Sequence, residues 1–232
     1  KLVQSVKELN IDNEDLMNDF ANLVFDKAVS EPQHSATYAK FCDGIKTISY
    51  APNTQPKLSM AERLAGVTKP VDESKGFRHL ILTLCQKTFE SHSFDSYSDL
   101  DLNTMDAESR TAVEADRRCF LGAIRFYGEL FLVGVLRRHV IVSCINSLLI
   151  SASKNQSAVE ALCVLVNTTG KELDVQNKAD LDKLMPQFRQ MTSDKFFSSR
   201  LRSLMADVIE LRENNWIPRN AATPAAAPAP VA

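Results

Sequence analysis

Apolar residues recur at intervals of three and four along most of this chain and seldom alternate with polar ones, which is the periodicity of helices rather than of strands. The most apolar stretch is RRCFLGAIRFYGELFLVGVL at residues 117–136, where apolar residues occupy almost every side of the helical wheel. A helix of this kind is buried on most faces. We therefore expect an all-α domain with this helix at its centre. Arg125 and Glu129 interrupt the stretch, so it falls short of a membrane span.

The same periodicity predicts further helices on both sides of this central run. They cover residues 13–30, 36–48, 76–90, 137–150, 157–173, 178–191 and 198–212. Asp12 or Asn13 offers an N-cap for the first of them, and Glu31-Pro32 closes it because the residue before a proline avoids helical geometry. Residues 51–73 are rich in proline and predict a surface loop, and residues 91–108 predict an acidic loop.

The helix at residues 13–30 carries apolar residues on two sides. Its main stripe is expected to face the core and consists of Leu16, Met17, Phe20, Leu23, Val24 and Ala28. Phe25 and Val29 lie four residues apart on another side. This second side either packs on a neighbouring helix of a stacked pair or forms an exposed apolar patch for a partner, and the sequence leaves both explanations open.

Composition narrows the class of protein. The chain has 27 Lys and Arg against 29 Asp and Glu, a net charge of −2, which argues against a nucleic-acid binder whose whole surface is basic. The five cysteines are odd in number and widely spaced, mostly among apolar residues, as expected for buried thiols in a reducing compartment. The chain begins at Lys1 with a short amphipathic segment, so we expect a piece of a longer protein whose first helix is truncated.

The residues that could support catalysis or bind a metal do not have the spacing that the known motifs require. An EF-hand at Asp95, Asp99, Asp101 and Asp106 is excluded because Tyr97 occupies a ligand position and Leu100 replaces the turn glycine. Gly170-Lys171 lacks the other residues of a phosphate-binding loop. The histidines share no metal-ligand spacing with each other or with the cysteines; they are His34, His79, His92 and His139. We therefore expect neither an enzyme nor a resident cofactor or metal.

Three segments, in this order, resemble the middle domain of eukaryotic translation initiation factor 4G. They are FANLVFDKAVSEP at residues 20–32, RRxxLGxIRFxGELF at 117–131 and SSRLRSLMADVIELRENNWIPR at 198–219. The resemblance implies a crescent-shaped α-solenoid of about five HEAT-type antiparallel helical pairs over residues 1–219. Residues 220–232, rich in alanine and proline, are then a disordered linker or tail.

The family resemblance also implies a function. Members are cytoplasmic, non-catalytic scaffolds of translation initiation that bind and stimulate the DEAD-box RNA helicase initiation factor 4A, and they can bind RNA. A cap-binding protein would attach through sequence outside this chain. Two alternatives remain on the same fold, namely a translational regulator or repressor of the poly(A)-binding-protein partner type, and an RNA-binding solenoid without a helicase partner.

The residues that match the family's two helicase contacts lie at opposite ends of the chain. The first contact falls on Phe25, Val29, Glu31, Pro32, His34, Tyr38, Gln86, Lys87 and Phe89. The second falls on Arg200, Ser203, Asp207 and Glu210, which share one face of a helix that the core does not need. Relatives commonly place an aromatic residue where this chain has His34, which offers less apolar area.

Three further expectations concern charge and packing. Candidate RNA contacts are the short basic clusters Arg117, Arg118, Arg137, Arg138, Lys195 and Arg202. The glycines of the central run are expected to lie against a neighbouring helix; they are Gly122, Gly128 and Gly134. Trp216, the only tryptophan, is expected to seal the last helical pair, in preference to the alternative of a role in binding a partner.

Overall fold

The structure is a computed structural model that describes residues 2–8, 11, 13–49, 76–91, 106–153 and 155–218. Its described residues form eight α-helices, and a 3₁₀ turn at Pro32–His34 joins the second to the third. The helices are α1 Leu2–Glu8, α2 Glu14–Ser30, α3 Ser35–Ile45, α4 Phe77–Ser91, α5 Ala107–Leu132, α6 Arg138–Ala152, α7 Gln156–Thr192 and α8 Ser199–Glu213. The predicted all-α class is therefore confirmed.

Three predicted irregular segments lie largely or wholly outside the described residues. They are the loop at 51–73, most of the acidic segment at 91–108 with Asp95, Asp99 and Asp101, and the tail at 220–232. The chain divides into two compact units, unit 1 at Lys1–Ser143 and unit 2 at Cys144–Ala232.

Unit 1 is built around α5, which packs against α2, α3 and α4. Capping side chains begin two of these helices. The Asn13 side chain accepts a hydrogen bond from the Asp15 amide at 2.8 Å, and the Asp106 side chain accepts one from the Ser109 amide at 2.7 Å. The buried face of α5 confirms the predicted central helix and includes Phe120, Ala123, Ile124, Phe126, Tyr127, Leu130 and Phe131.

The central helix differs from its predicted bounds, because it begins at Ala107 and ends at Leu132 rather than continuing to residue 136. Gly134 lies beyond that end with φ of 76°, a left-handed conformation that glycine adopts without strain. No neighbouring atom lies within 4 Å of the position that a Cβ would occupy there. The prediction that Gly134 packs against a helix is therefore wrong. It is confirmed for Gly122, where a Cβ would collide with the carbonyl oxygen of Val29 on α2.

The residues of α2 that are buried differ in part from those predicted to face the core. Leu16 and Leu23, placed in the main core stripe, are 52% and 59% exposed. Phe25 and Val29 are buried, at 6% and 4% exposure, because α5 packs on the side of α2 that carries them. Of the two explanations for that side, packing against a neighbouring helix is correct.

Unit 2 consists mainly of α7 and α8. The two helices predicted at 157–173 and 178–191 follow each other as α7 with a kink at Asn177, whose φ of −165° and ψ of 96° are not helical. Contacts from Glu160 to Arg200 and from Asp174 to Arg212 show that the first half of α7 runs parallel to α8. Asp182, near the start of the second half, accepts a hydrogen bond from Arg212. The Phe196 carbonyl beyond its end accepts one from Gln156 at the start of the first half, so the second half runs opposite to α8.

Candidate partner-binding surfaces

The turn between α2 and α3 is held by a small polar network around Glu31. The Glu31 amide donates to the Lys27 carbonyl at 3.0 Å and ends α2, and Pro32 then starts the 3₁₀ turn. The Glu31 carboxylate accepts from the Tyr38 hydroxyl at 2.7 Å and from the Lys27 ammonium at 3.3 Å. Hydrogen bonds from Tyr38 and then Lys27 lower the pKa of Glu31, so this carboxylate is charged at neutral pH.

The C-terminal part of α4 supplies the other residues of the first predicted contact. Gln86 donates to the Glu90 carboxylate at 2.8 Å, and Lys87 is exposed beside it. Phe89 is half-buried, with its ring centroid 6.5 Å from that of Phe120 on α5. Only the polar members of this group are therefore fully accessible.

Helix α5 shows that these two groups lie at the same end of unit 1. Along α5, Phe126 meets Phe25 at 6.1 Å between ring centroids, and Gly122 meets Val29, so α2 and α5 are antiparallel. The Tyr127 hydroxyl donates to the Cys85 carbonyl at 3.0 Å, and Phe120 meets Phe89, so α4 and α5 are also antiparallel. The C-terminal ends of α2 and α4 consequently share one end of the unit.

We call this region the turn surface and define it by the residues that remain accessible there. His34, Gln86 and Lys87 are exposed, and the members that are half-buried are Glu31, Pro32 and Tyr38. Phe25 and Val29 do not belong to it, because both side chains are buried against α5. The sequence could not exclude them, since nothing in the local pattern tells which apolar side of α2 meets α5.

The face predicted on α8 is accessible and carries mixed charge. Ser203 and Asp207 are exposed, and Glu210 is half-buried. Arg200 donates to the Glu160 carboxylate of α7 at 2.6 Å, and the Glu160 side chain is itself buried. Glu160 was not a candidate in the sequence, because it lies 40 positions from Arg200 among apolar neighbours and has no local signature.

The basic clusters do not form one patch within unit 1. At ~1.5 Å per residue, about 21 Å of α5 separates Arg118 from Leu132, beyond which Arg137 and Arg138 follow. Arg118 and Arg137 are exposed, whereas Arg117 and Arg138 are half-buried.

In unit 2 the remaining basic candidates lie at the start of α8. Lys195 is exposed in the preceding loop, and Arg202 is half-buried. Each of these three places thus presents only one fully exposed basic candidate, namely Arg118, Arg137 or Lys195.

The described part of the chain offers no cluster of three or more His, Cys, Asp or Glu side chains that could hold a metal ion. Burial raises the pKa of Cys42 and of Cys163 to about 12 and that of Cys144 to about 11, so these thiols are inert near neutral pH. Cys119 is exposed on α5, contrary to the expectation of buried thiols. None of the described helices is both long enough and apolar enough to cross a bilayer.

The chain is similar to translation initiation factors over nearly its whole length. It is 30% identical to eukaryotic translation initiation factor 4 gamma 1 of Mus musculus over 94% of its length, and 32% identical to factor 4 gamma 3 of Homo sapiens over 95%. Among solved structures, the MIF4G domain of a Trypanosoma cruzi translation initiation factor shares its fold, with a TM-score of 0.51 and 18% identity. That similarity covers 92% of this chain and 88% of the other.

The chain spans about a seventh of the length of these curated relatives, 14% in each case. The family model of the MIF4G domain matches residues 1–215, which include the turn surface, the whole of α5 and the accessible face of α8. The chain therefore belongs to the MIF4G domain family, in its initiation factor 4G type.

Proposed function

We propose that this domain is a non-catalytic scaffold of translation initiation that binds and stimulates the DEAD-box RNA helicase initiation factor 4A. The relatives are themselves translation initiation factors. The observation that carries the proposal is the turn surface, where residues more than 50 positions apart, such as His34 and Gln86, lie at the same end of unit 1.

The turn surface suits a polar contact with a small apolar component. Glu31 is fixed by Tyr38 and Lys27, so the turn loses little conformational freedom when a partner binds. His34 is exposed in the 3₁₀ turn that follows. A histidine supplies less apolar area than the aromatic residue common in relatives, so we expect a weaker anchor at this position.

The second contact in this proposal is the accessible face of α8. Asp207 and Glu210 present carboxylates there, and the pair between Arg200 and Glu160 restrains the first turn of the helix. Two weak contacts on one domain gain affinity through effective concentration, so losing either one should weaken binding to the whole helicase. Their roles differ if one anchors a lobe and the other holds the second lobe in register.

The test combines calorimetry on the isolated helicase lobes with ATPase assays on the whole helicase. His34→Asp with Lys87→Glu should weaken binding of one lobe about tenfold, which corresponds to ~1.4 kcal/mol. Asp207→Lys with Glu210→Lys should mainly reduce stimulation of the RNA-dependent ATPase. Matched controls are Asp19→Lys in unit 1 and Lys183→Glu in unit 2, both at exposed positions outside the two surfaces.

Three results would count against the proposal. Both lobes binding the same surface would exclude the two-contact arrangement. Unchanged binding and stimulation in folded variants would exclude these surfaces as the helicase contacts. ATP turnover by the purified chain alone would exclude a non-catalytic role.

RNA is the second ligand in the proposal. Arg118, Arg137 and Lys195 are exposed and can reach phosphates, whereas Arg200 is engaged by Glu160. Because these basic residues are few and dispersed, we expect weak binding that depends strongly on salt.

A further inference from the structure

Unit 2 contains a cleft of about 660 Å³ between the two halves of α7 and the end of α8. This volume falls within the range of about 300–1,000 Å³ that is typical of ligand sites. Apolar side chains line part of it, namely Val175, Met185, Ile209 and Trp216. Val175 is 76% exposed although it is apolar, so the cleft presents uncovered hydrophobic surface.

The carboxylates of the cleft form ion pairs with arginines, whereas the two lysines of its lining form none with any described residue. Arg212 donates to the carboxylates of Asp174 and Asp182, each at 2.7 Å, and Arg189 donates to Glu213 at 2.7 Å. All three carboxylates of the lining are therefore paired with arginines. The ammonium groups of Lys171 and Lys178 form no ion pair in the described part of the chain, although Lys178 is near enough to help lower the pKa of Asp174.

The two lysines flank Val175, four positions before it and three positions after it, and all three line the same cleft. We propose that this cleft docks an acidic peptide segment of a partner protein, which places one large apolar side chain against Val175 and Trp216 and its carboxylates on Lys171 and Lys178. An apolar anchor in a concave site supplies most of the affinity of such a contact, and the flanking charges fix its register.

The cleft is distinct from the α8 face in the proposed function. Ile209 and Arg212 line the cleft, whereas Ser203 and Asp207 belong to the accessible face. At 100° per residue, Ile209 lies about 160° around the helix axis from Asp207. A partner in the cleft would therefore not compete directly for Ser203 or Asp207.

Charge complementarity favours a protein segment over the other candidates. Residues 219–232 of this chain contain no Asp or Glu, so this segment lacks the charge that the lysines would bind. Single-stranded RNA also carries negative charge, but phosphate contacts to the lysines would leave the apolar lining unused. An acidic peptide with an apolar side chain uses both features.

Trp216 provides a direct readout, because it is the only tryptophan of the chain and it lies in the cleft. Its indole N–H donates to Asp174 at 2.8 Å, which keeps the ring in place. The probes are synthetic 15-residue peptides without tryptophan, in which a central Leu, Met or Phe is flanked by Asp and Glu. The matched peptides carry Asn and Gln instead, and a 12-nucleotide uridine-rich RNA is titrated in parallel.

We expect the acidic peptides to change the emission of Trp216 saturably in the full chain, and the amide peptides to bind at least about tenfold more weakly. Lys171→Glu with Lys178→Glu should weaken acidic-peptide binding by at least about tenfold, and Val175→Ser should also weaken it. Lys183→Glu, an exposed lysine of the same helix outside the cleft, should leave the Kd within about twofold.

Four results would overturn the proposal. The first is no response to any acidic peptide, and the second is equal binding of acidic and amide peptides. The third is a stronger response to RNA than to the peptides. The fourth is peptide binding that appears only after residues 219–232 are removed, because the chain's own segment would then be the occupant.

Discussion

The indole ring of Trp216 lies directly over Gly170, in the space that the Cβ of any other residue at that position would occupy. The ring is fixed by the hydrogen bond from its Nε1 to Asp174 at 2.8 Å, and the Trp216 backbone has φ of 62° in the left-handed region. A non-glycine residue in that region is strained, so the contacts of the ring must offset the strain. Trp216 therefore packs on the first half of α7, as predicted for the last helical pair, and its remaining surface lines the cleft.

The first prediction tests this contact with a double-mutant cycle. Gly170→Ala alone should destabilise the protein by about 1–3 kcal/mol, because the added methyl displaces a ring that is held in place. In a Trp216→Ala background the same change should be neutral or stabilising by up to ~1 kcal/mol, since alanine is the better helix former.

The measurement is urea unfolding of the four proteins, followed by circular dichroism so that the readout does not depend on the tryptophan. An equal cost of Gly170→Ala in both backgrounds would show that the ring is not what restricts this position.

The second prediction concerns the close approach of α2 and α5. Gly122→Ala should cost about 1–3 kcal/mol, because the methyl would collide with the backbone carbonyl of Val29 and two helices would have to separate. Gly134→Asn is the matched control and should have a small effect, since the site is open and asparagine tolerates a positive φ. Urea unfolding measures both variants, and a loss below about 0.5 kcal/mol for Gly122→Ala would contradict the close packing.

The fold class and most helix positions could be predicted because helical periodicity is a local property of the sequence. Which face of a helix is buried could not be predicted, because that depends on where the other helices lie. On α2, the periodicity assigns Leu16 and Leu23 to the core stripe and Phe25 and Val29 to another side, but the packing of α5 buries Phe25 and Val29 and leaves the two leucines exposed. Gly134 illustrates a second limit, because its apolar neighbours continued the helical pattern past the residue that ends the helix.

In the candidate surfaces too, features set by neighbouring residues could be predicted, whereas contacts between residues far apart in the sequence could not. The turn after α2 was predicted from Glu31-Pro32, a local signal that the structure bears out. The pairing of Arg200 with Glu160 and the contact of Trp216 with Gly170 join residues 40 or more positions apart, and no spacing rule connects them. Lys171 and Lys178, which line the cleft, lie on opposite sides of the kink at Asn177, and the sequence indicates that kink only as a gap between two predicted helices.

The third prediction concerns RNA. If Arg137 and Arg138 contact phosphates, changing both to Ala should reduce the slope of log affinity against log salt by about 1.4, or ~0.7 for each single-strand phosphate. Fluorescence anisotropy with a labelled single-stranded RNA, titrated at several KCl concentrations, measures the slope. Lys183→Ala is the control for a lost positive charge elsewhere. An unchanged slope would place the RNA contact at other residues.

The last prediction concerns the acid stability of unit 2. Burial by itself would raise the pKa of Asp174, but hydrogen bonds from Arg212 and Trp216 and the charge of Arg212 outweigh it and lower that pKa. The folded state therefore binds fewer protons at this site than the unfolded chain, where an Asp has a pKa of ~3.9. The resulting stability is fully present above that value and is lost as pH falls through the lower pKa of the folded state.

Asp174→Asn should consequently destabilise the protein at pH 7 by about 1–3 kcal/mol, because it removes charge-assisted hydrogen bonds to two partners. The difference from the unsubstituted protein should shrink as pH falls below about 4, since protonation then removes the same charge in the original chain. Urea unfolding at pH 7, 5, 4 and 3 measures the difference, with Asp19→Asn as the control at an exposed carboxylate of α2. A difference that stays constant from pH 7 to pH 3 would mean that the charge of Asp174 does not stabilise the contact with Arg212 and Trp216, and that the asparagine acts only through its shape.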